Sequence, residues 1–282
     1  MKIFINILII FTFFSCSQQS NKDNSNINEL KKSTKFDIKH ENANIHSVDT
    51  IIDITKKCKC DKNINDLSLS TDLTINKNEV DFDTLLTSNS FEIENIKSIK
   101  LCGYDTIPKD FKIFKNVETV LITPSIDMVN FSGVGLENFP KFRNLSIFAT
   151  IVDLTNNPKW LRQVEIFEAQ KSHISGLKSF KQMPNLRKME LRYSGFDSFP
   201  KNFESMHCLN SFQLIAYSFN VIDLSKIDLS KLPCLKYIEF HSWDKGFIGI
   251  PKGIESVEKV KISHGNLTKD EKNKLKSVAN NK

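Results

Sequence analysis

Glycine and proline are both scarce in this chain, with 9 glycines and 8 prolines among 282 residues. That scarcity excludes collagen-like chains and the Gly-rich or Pro-rich low-complexity classes. The chain also lacks a concentrated basic stretch, because 39 basic and 33 acidic side chains leave a formal net charge of only +6. Nucleic-acid-binding proteins usually carry such a stretch, so we expect no nucleic-acid partner. With 40% hydrophobic and 26% charged residues, the composition is that of a globular protein.

The sequence motifs of common catalytic and metal sites are missing as well. The six histidines are scattered, and no HExxH, GxSxG, Walker or GxGxxG motif occurs. Cys58 and Cys60 form a C-x-C pair, but a zinc site usually needs four ligands. We therefore expect no catalytic residues, no metal and no cofactor. A hydrolase whose serine, histidine and aspartate meet only in the folded chain is the alternative.

The chain begins with a short hydrophobic run, MKIFINILIIFTFFSC. The run is too short for a transmembrane helix, which needs about 20 apolar residues, but it is typical of a secretion signal. Ser15 and Cys16 at its end resemble the lipobox of bacterial lipoproteins, in which the cysteine carries the lipid. We predict a signal peptide over residues 1–15, lipidation at Cys16, and a place in the bacterial cell envelope, at the outer membrane or cell surface rather than in the cytoplasm. An ordinary secretion signal is the alternative.

Residues 16–45 are rich in Ser, Asn, Gln, Lys and Asp and contain few large apolar side chains. Such a composition cannot bury enough apolar surface to order itself. We predict a flexible tether between the lipid anchor and a folded part.

From Asn95 onward one spacing recurs, with apolar residues at positions i, i+3 and i+5. Its clear copies are Ile96-Ile99-Leu101, Val117-Val120-Ile122, Leu161-Val164-Ile166, Leu186-Met189-Leu191, Leu209-Phe212-Leu214, Leu235-Ile238-Phe240 and Val257-Val260-Ile262. One less regular copy is either Leu145-Phe148-Thr150 or Phe142-Leu145-Ile147. The first and last copies start 161 residues apart (257 − 96), which gives a mean period of 23 over seven intervals. An apolar residue followed by proline recurs between copies, as at Ile107-Pro108 and Phe199-Pro200.

These two phased motifs resemble the leucine-rich-repeat family over about residues 95–265. The resemblance implies an α/β solenoid, a horseshoe of about eight coils with a parallel β-sheet on its concave face and short helical or irregular return legs. Residues 46–94 would form an N-terminal cap or small β-rich segment, with a separate small domain as the alternative. Residues 266–282 would form a capping helix and tail, because Thr268 and Glu271 have the spacing of a capping box.

The side chains between the apolar positions of each strand are expected to form an exposed grid on the concave face. In this register a basic column lies beside an acidic column, with aromatic residues just past the strands. The candidate partner-binding residues are Arg162, Glu165, Phe167, Arg187, Glu190, Arg192, Tyr193, Gln213, Ile215, Tyr237, Glu239 and His241. Aromatic and Arg side chains are enriched at protein-binding hot spots, so we expect a protein ligand. The alternatives are charge pairs that only keep the sheet soluble, and a structural envelope scaffold.

Cys208 and Cys234 each stand immediately before the first apolar residue of neighbouring copies. Equivalent positions on adjacent coils lie near 5 Å apart, which is within the usual Cα separation of a disulfide. An exported protein can form such a bond. A disulfide and a pair of free thiols are both compatible with the sequence.

Overall fold

The computed structural model describes residues 72–76, 93–126, 128–131, 133–216, 221–242 and 246–280. All of these residues lie within the compact unit that spans Cys58–Lys282. Cys16, Cys58 and Cys60, and the predicted signal peptide and tether, lie outside the described residues.

Parallel strands dominate the described part of the chain and form a nine-stranded sheet. In spatial order its strands are β1 (Asp72–Asn76), β2 (Ser98–Cys102), β3 (Thr119–Thr123), β5 (Asn144–Phe148), β7 (Ile166–Gln170), β9 (Lys188–Arg192), β11 (Ser211–Ala216), β13 (Tyr237–Ser242) and β15 (Lys259–Ser263). Side chains alternate between buried and partly exposed along most of these strands, as the period of a strand with one face on a core requires. The predicted leucine-rich-repeat solenoid, with its parallel sheet on the concave face, is confirmed.

The rest of each coil runs through short return elements behind the main sheet. Two smaller parallel sheets are formed by β4 (Met128–Asn130), β6 (Ile151–Asp153), β8 (His173–Ser175) and β10 (Gly195–Phe196), and by β12 (Ile222–Asp223) and β14 (Phe247–Ile248). The 3-10 helices among the described residues are Ile93–Asn95, Lys109–Ile113, Leu136–Asn138, Lys159–Gln163, Phe180–Gln182, Phe203–Ser205, Leu224–Lys226, Leu229–Lys231 and Ile254–Ser256. Stacked coils bury one continuous core, rich in phenylalanine, between the concave sheet and these elements.

Helix α1 (Lys269–Asn280) ends the described chain. Its start is a capping box: the Glu271 carboxylate accepts hydrogen bonds from the Thr268 backbone N–H (2.8 Å) and hydroxyl (2.9 Å), and the Glu271 N–H donates to Thr268 Oγ1 at 3.2 Å. Leu275 and Val278 on this helix are partly buried against the core.

The main sheet begins one strand before the repeats counted in the sequence. Strand β1 pairs in parallel register with β2, Leu73 beside Ile99 and Ile75 beside Leu101. Both β1 residues are buried in the common core. The main sheet therefore extends by one strand into the segment predicted to be an N-terminal cap or small β-rich segment.

The repeat register near Leu161 differs from the prediction. Strand β7 buries Phe167 and Ala169, so this copy reads Val164-Phe167-Ala169, and Leu161 lies buried in the preceding 3-10 helix. The physical reason is coil length: starts at Phe142, Val164 and Leu186 are each 22 residues apart (164 − 142 and 186 − 164), whereas a start at Leu161 would leave coils of 19 and 25 residues. Of the two readings for the irregular copy, Phe142-Leu145-Ile147 is the observed one.

A row of buried hydroxyls follows the central strands of the main sheet. Thr150, Ser172 and Ser194 stand at the same place in successive coils, each preceded by a residue with positive φ. Ser194 Oγ accepts a hydrogen bond from the Ser172 N–H (3.1 Å) and lies 2.8 Å from the Arg192 carbonyl oxygen. These hydroxyls bond the backbone where the chain leaves the strand, so the buried polar groups of the turn are satisfied.

Candidate functional site

Four polar side chains form a row across the concave face, which we call the acidic row: Glu168, Glu190, Gln213 and Glu239. Backbone pairing sets them side by side on β7, β9, β11 and β13. Three of them are in the predicted acidic column. Glu168 was missed because the register near Leu161 was wrong, and the 22-residue coil length is the signal that would have found it.

Lys188 holds the first two carboxylates of the acidic row together. Its ammonium nitrogen lies 2.7 Å from Glu168 Oε1 and 2.9 Å from Glu190 Oε2. Arg192 contacts the other oxygen of Glu190. Burial alone would lower the pKa of Lys188, but hydrogen bonds to the two carboxylates and their charges raise it above its usual value. The lysine therefore stays charged, and Glu190 has a cation on each side.

The far end of the acidic row is a second network around Glu239. Glu239 Oε2 accepts hydrogen bonds from Gln213 Nε2 (2.6 Å) and from the Tyr237 hydroxyl. Burial and the Glu239 carboxylate raise the pKa of Tyr237, which keeps its hydroxyl a donor. The ammonium groups of Lys259 and Lys261 lie 5.5 and 5.9 Å from the centre of the Tyr237 ring, which is cation–π distance.

Charges of alternating sign also stand just before the strands. Glu165 Oε1 lies 3.1 Å from Arg143 Nη1, and Glu165 Oε2 lies 3.4 Å from Arg187 Nε. Glu165 thus occupies the place in its coil that Arg187 occupies in the next one. The sequence pattern had placed Glu165 in the acidic column, but the observed register puts it just before β7, and Glu168, three residues later, stands in that column.

Two predicted binding residues do not belong to the exposed grid. Phe167 is 1% exposed and packs in the core of β7, so it is no surface anchor. Arg162 is exposed but lies on the 3-10 helix Lys159–Gln163, away from the concave strands. Its backbone carbonyl accepts a hydrogen bond of 2.6 Å from Asn185 Nδ2.

The remaining predicted residues lie near one another at the C-terminal ends of adjacent strands. Arg192, Ile215 and His241 are in register on β9, β11 and β13. Tyr193 follows Arg192 and is 40% exposed, with a backbone φ of 52°. We call Arg192, Tyr193 and Ile215 the anchor cluster.

Cys208 and Cys234 are both disulfide-bonded in the structure, and so is Cys102. The offset of 26 residues between the first two equals that between the paired residues Ser211 and Tyr237, so they occupy equivalent places on adjacent coils. The residue at the equivalent position of another coil, Asn116, also links two coils, because its Nδ2 donates a hydrogen bond of 2.7 Å to the Glu94 carbonyl. A bond between Cys208 and Cys234 stays a prediction.

A serine, a histidine and an aspartate do meet on the outer side of the solenoid. His173 Nε2 lies 2.5 Å from Asp197 Oδ1, and Asp197 also accepts a hydrogen bond from the Ser175 hydroxyl. Burial acts to raise the pKa of Asp197, but these hydrogen bonds lower it below its usual range. In a hydrolase triad the imidazole stands between hydroxyl and carboxylate, whereas here the carboxylate stands between the other two.

The described residues contain no group of three or more His, Cys, Asp or Glu side chains placed to hold a metal ion. No helix in this part of the chain is both long enough and apolar enough to cross a membrane.

No family model matches the chain, and no curated protein does. Nine chains of solved structures match it. One is the crystal structure of an internalin, InlF, from Listeria monocytogenes str. 4b F2365, which is 11% identical with a TM-score of 0.32 and is matched over 62% of this chain. The match spans 63% of the internalin chain, less than two thirds of its length.

Proposed function

We propose that this chain is a membrane-tethered, non-catalytic leucine-rich-repeat module that recognises a protein through its concave face. The observation that carries the proposal is the state of Glu190. Its side chain is only 16% exposed and is held by Lys188 on one side and Arg192 on the other. A charged centre that is already ordered loses little side-chain entropy when a partner binds.

The anchor cluster supplies the apolar contact area for such a partner. Arg192, Tyr193 and Ile215 lie together beside the acidic row. Tyrosine and arginine are the residue types that contribute most when buried at protein interfaces. The half-buried charges around them would set the orientation of the partner, because buried charge pairs penalise a wrong match strongly.

The tether belongs to the proposal on sequence grounds alone. Lipid at Cys16 would anchor the chain in the envelope, since stable anchoring needs more than one acyl chain and lipoprotein modification supplies several. Residues 16–45 would then hold the solenoid away from the membrane. No observation favours the scaffold or hydrolase alternatives over recognition.

The test is crosslinking and pull-down from intact cells with the full chain as bait. The variant is Arg192→Gln with Tyr193→Ala. Gln170 occupies the place of Arg192 one coil earlier, and Ala149 occupies the place of Tyr193 two coils earlier, so the backbone accepts both residues. The matched control is Arg162→Gln, which removes an arginine outside the concave strands.

We expect a partner that the unchanged chain and the control capture equally and that the double variant loses by at least about tenfold. A partner held equally by all three would contradict recognition at the anchor cluster. Capture of no partner would favour the structural scaffold.

A further inference from the structure

Strand β15 is the last strand of the main sheet, and no further coil among the described residues covers it. It pairs with β13, and the described residues hold no strand on its other side. Val260 and Ile262 face the core but are only partly buried, whereas their neighbours Ile238 and Phe240 on β13 are 0% exposed. The final layer of the core therefore keeps apolar area in contact with water.

Helix α1 covers this end incompletely. A groove of about 600 Å³ lies between the helix and β15. Its apolar lining is Val260 and Ile262 on the strand and Leu275 and Val278 on the helix. A volume of this size falls within the range of about 300–1,000 Å³ that is usual for binding clefts.

The charged side chains around the groove are three lysines and two glutamates, a slight positive excess. Lys259 and Lys261 on the strand and Lys276 on the helix line it, together with Glu258 and Glu239. The Glu239 carboxylate is already bonded to Gln213 and Tyr237. Among the described residues these three lysines form no ion pair, and Lys259 and Lys261 contact only the face of the Tyr237 ring. Lysine on an edge strand disfavours pairing with most other strands. The same positive charge favours pairing with a strand that carries acidic side chains.

We propose that the groove between β15 and α1 binds an extended segment of a partner protein in which acidic and apolar residues alternate. The segment adds to the edge of β15 as one more strand, with main-chain hydrogen bonds supplying affinity and alternate side chains supplying selectivity. Its acidic side chains lie beside Lys259 and Lys261, and its apolar side chains enter the groove over Val260 and Ile262. This surface is separate from the anchor cluster and does not depend on the function proposed for it.

The probe is a fluorescent, acetylated peptide that alternates Asp or Glu with Val or Ile over eight residues. Binding to the full chain is measured by anisotropy. Controls are a peptide of the same composition with its acids in one block, and a peptide with lysine in place of each acid. We expect saturable binding of the alternating acidic peptide only. Absence of saturation up to about 1 mM peptide would overturn the proposal.

Two variants locate the site. Lys259→Glu with Lys261→Glu should weaken binding at least about tenfold and transfer it to the lysine peptide. The matched control is Lys109→Glu with Lys112→Glu, two exposed lysines in a distant coil, which should leave binding unchanged. Equal effects of both pairs would mean that binding reflects overall charge, and would overturn the proposal.

Strand addition itself is tested with N-methylated peptides. In an extended strand, alternate N–H groups point to opposite edges, so one pattern of alternate N-methylation should abolish binding while the complementary pattern leaves it. Equal effects of the two patterns would exclude strand addition. The double variant at Arg192 and Tyr193 should bind the peptide as the unchanged chain does, so failure of either proposal leaves the other intact.

Discussion

Glu168 and Glu190 are directly opposite each other on strands β7 and β9, in register as like charges. Like charges at this spacing destabilise a sheet. The Lys188 ammonium lies within 3 Å of both carboxylates and offsets the repulsion, at 2.7 Å from Glu168 and 2.9 Å from Glu190. Lys188 therefore stabilises the side-by-side placement of Glu168 and Glu190.

Replacing Lys188 with Met should lower the free energy of unfolding by about 2 kcal/mol. This value lies between the cost of breaking an exposed ion pair and that of breaking a fully buried one. Denaturant unfolding of the variant and of the unchanged chain measures this loss. Lys115→Met, at an exposed lysine, should change little; equal losses for both variants would contradict the role of Lys188.

Ser194→Ala should destabilise the chain by about 1–3 kcal/mol, the usual cost of a buried polar group left without its partner. The variant removes the acceptor of the Ser172 N–H, and Ser194 is 2% exposed, so water cannot replace it readily. Thermal unfolding compared with Ser198→Ala, at an exposed serine nearby, checks this. A loss no larger than that of the control would show that the hydroxyl row contributes nothing to stability.

A disulfide between Cys208 and Cys234 should contribute about 3 kcal/mol, as expected for a loop of 26 residues (234 − 208). Replacing both cysteines with serine should lower the midpoint of denaturant unfolding accordingly under non-reducing conditions. Alkylation of unreduced, denatured protein followed by peptide mapping tests the pairing directly. Labelled Cys208 and Cys234 would contradict the prediction.

His264 should make the chain less stable in mild acid. It is 7% exposed, its Nε2 lies 3.2 Å from the Gly249 carbonyl oxygen, and Nδ1 has no hydrogen-bond partner among the described residues. Burial lowers the pKa of His264 below its usual value, although the Gly249 carbonyl and the Glu271 charge oppose the shift. Protonation would place an unpaired N–H in the core.

The direction in which the free energy of unfolding changes with pH depends on which state binds the His264 proton more readily. Above about pH 7 the imidazole is neutral in both states, and below about 6.5 the unfolded chain takes the proton first. The free energy of unfolding therefore falls as pH drops through this range. His264→Gln should flatten the decline between pH 7 and 5, whereas His207→Gln, at an exposed histidine, should not. Parallel curves for His264→Gln and the unchanged chain would contradict this.

Much of the fold could be predicted because apolar spacing and coil length act together. Where both agreed, as at Leu186-Met189-Leu191, the strand and its buried residues are as expected. Near Leu161 the apolar residues satisfied two registers, and spacing alone could not choose between them. Glu190, Gln213 and Glu239 were correctly placed in one row for the same reason that their strands were.

The contacts within the site were not predictable from the same pattern. Lys188 stands at an outward position that spacing treats as interchangeable with Ser211 or Tyr237. Which carboxylates it joins depends on strand register and side-chain reach, which need coordinates. The buried hydroxyls of Thr150, Ser172 and Ser194 lie after the strands, at positions that the apolar spacing does not mark, so the pattern did not indicate them.

The observed register, in which Phe167 is a core residue of the coil, predicts a large loss of stability when its ring is removed. Phe167→Ala should cost about 3–5 kcal/mol of unfolding free energy, because it leaves a cavity in the core of β7. Arg162→Ala should stay within about 0.5 kcal/mol, since an exposed side chain on a return leg is replaced. The register that begins at Leu161 would instead place Phe167 on the surface and predict a small loss. Denaturant unfolding of the two variants decides between the registers, with Ile166→Ala, at a half-buried outward position, as an intermediate control.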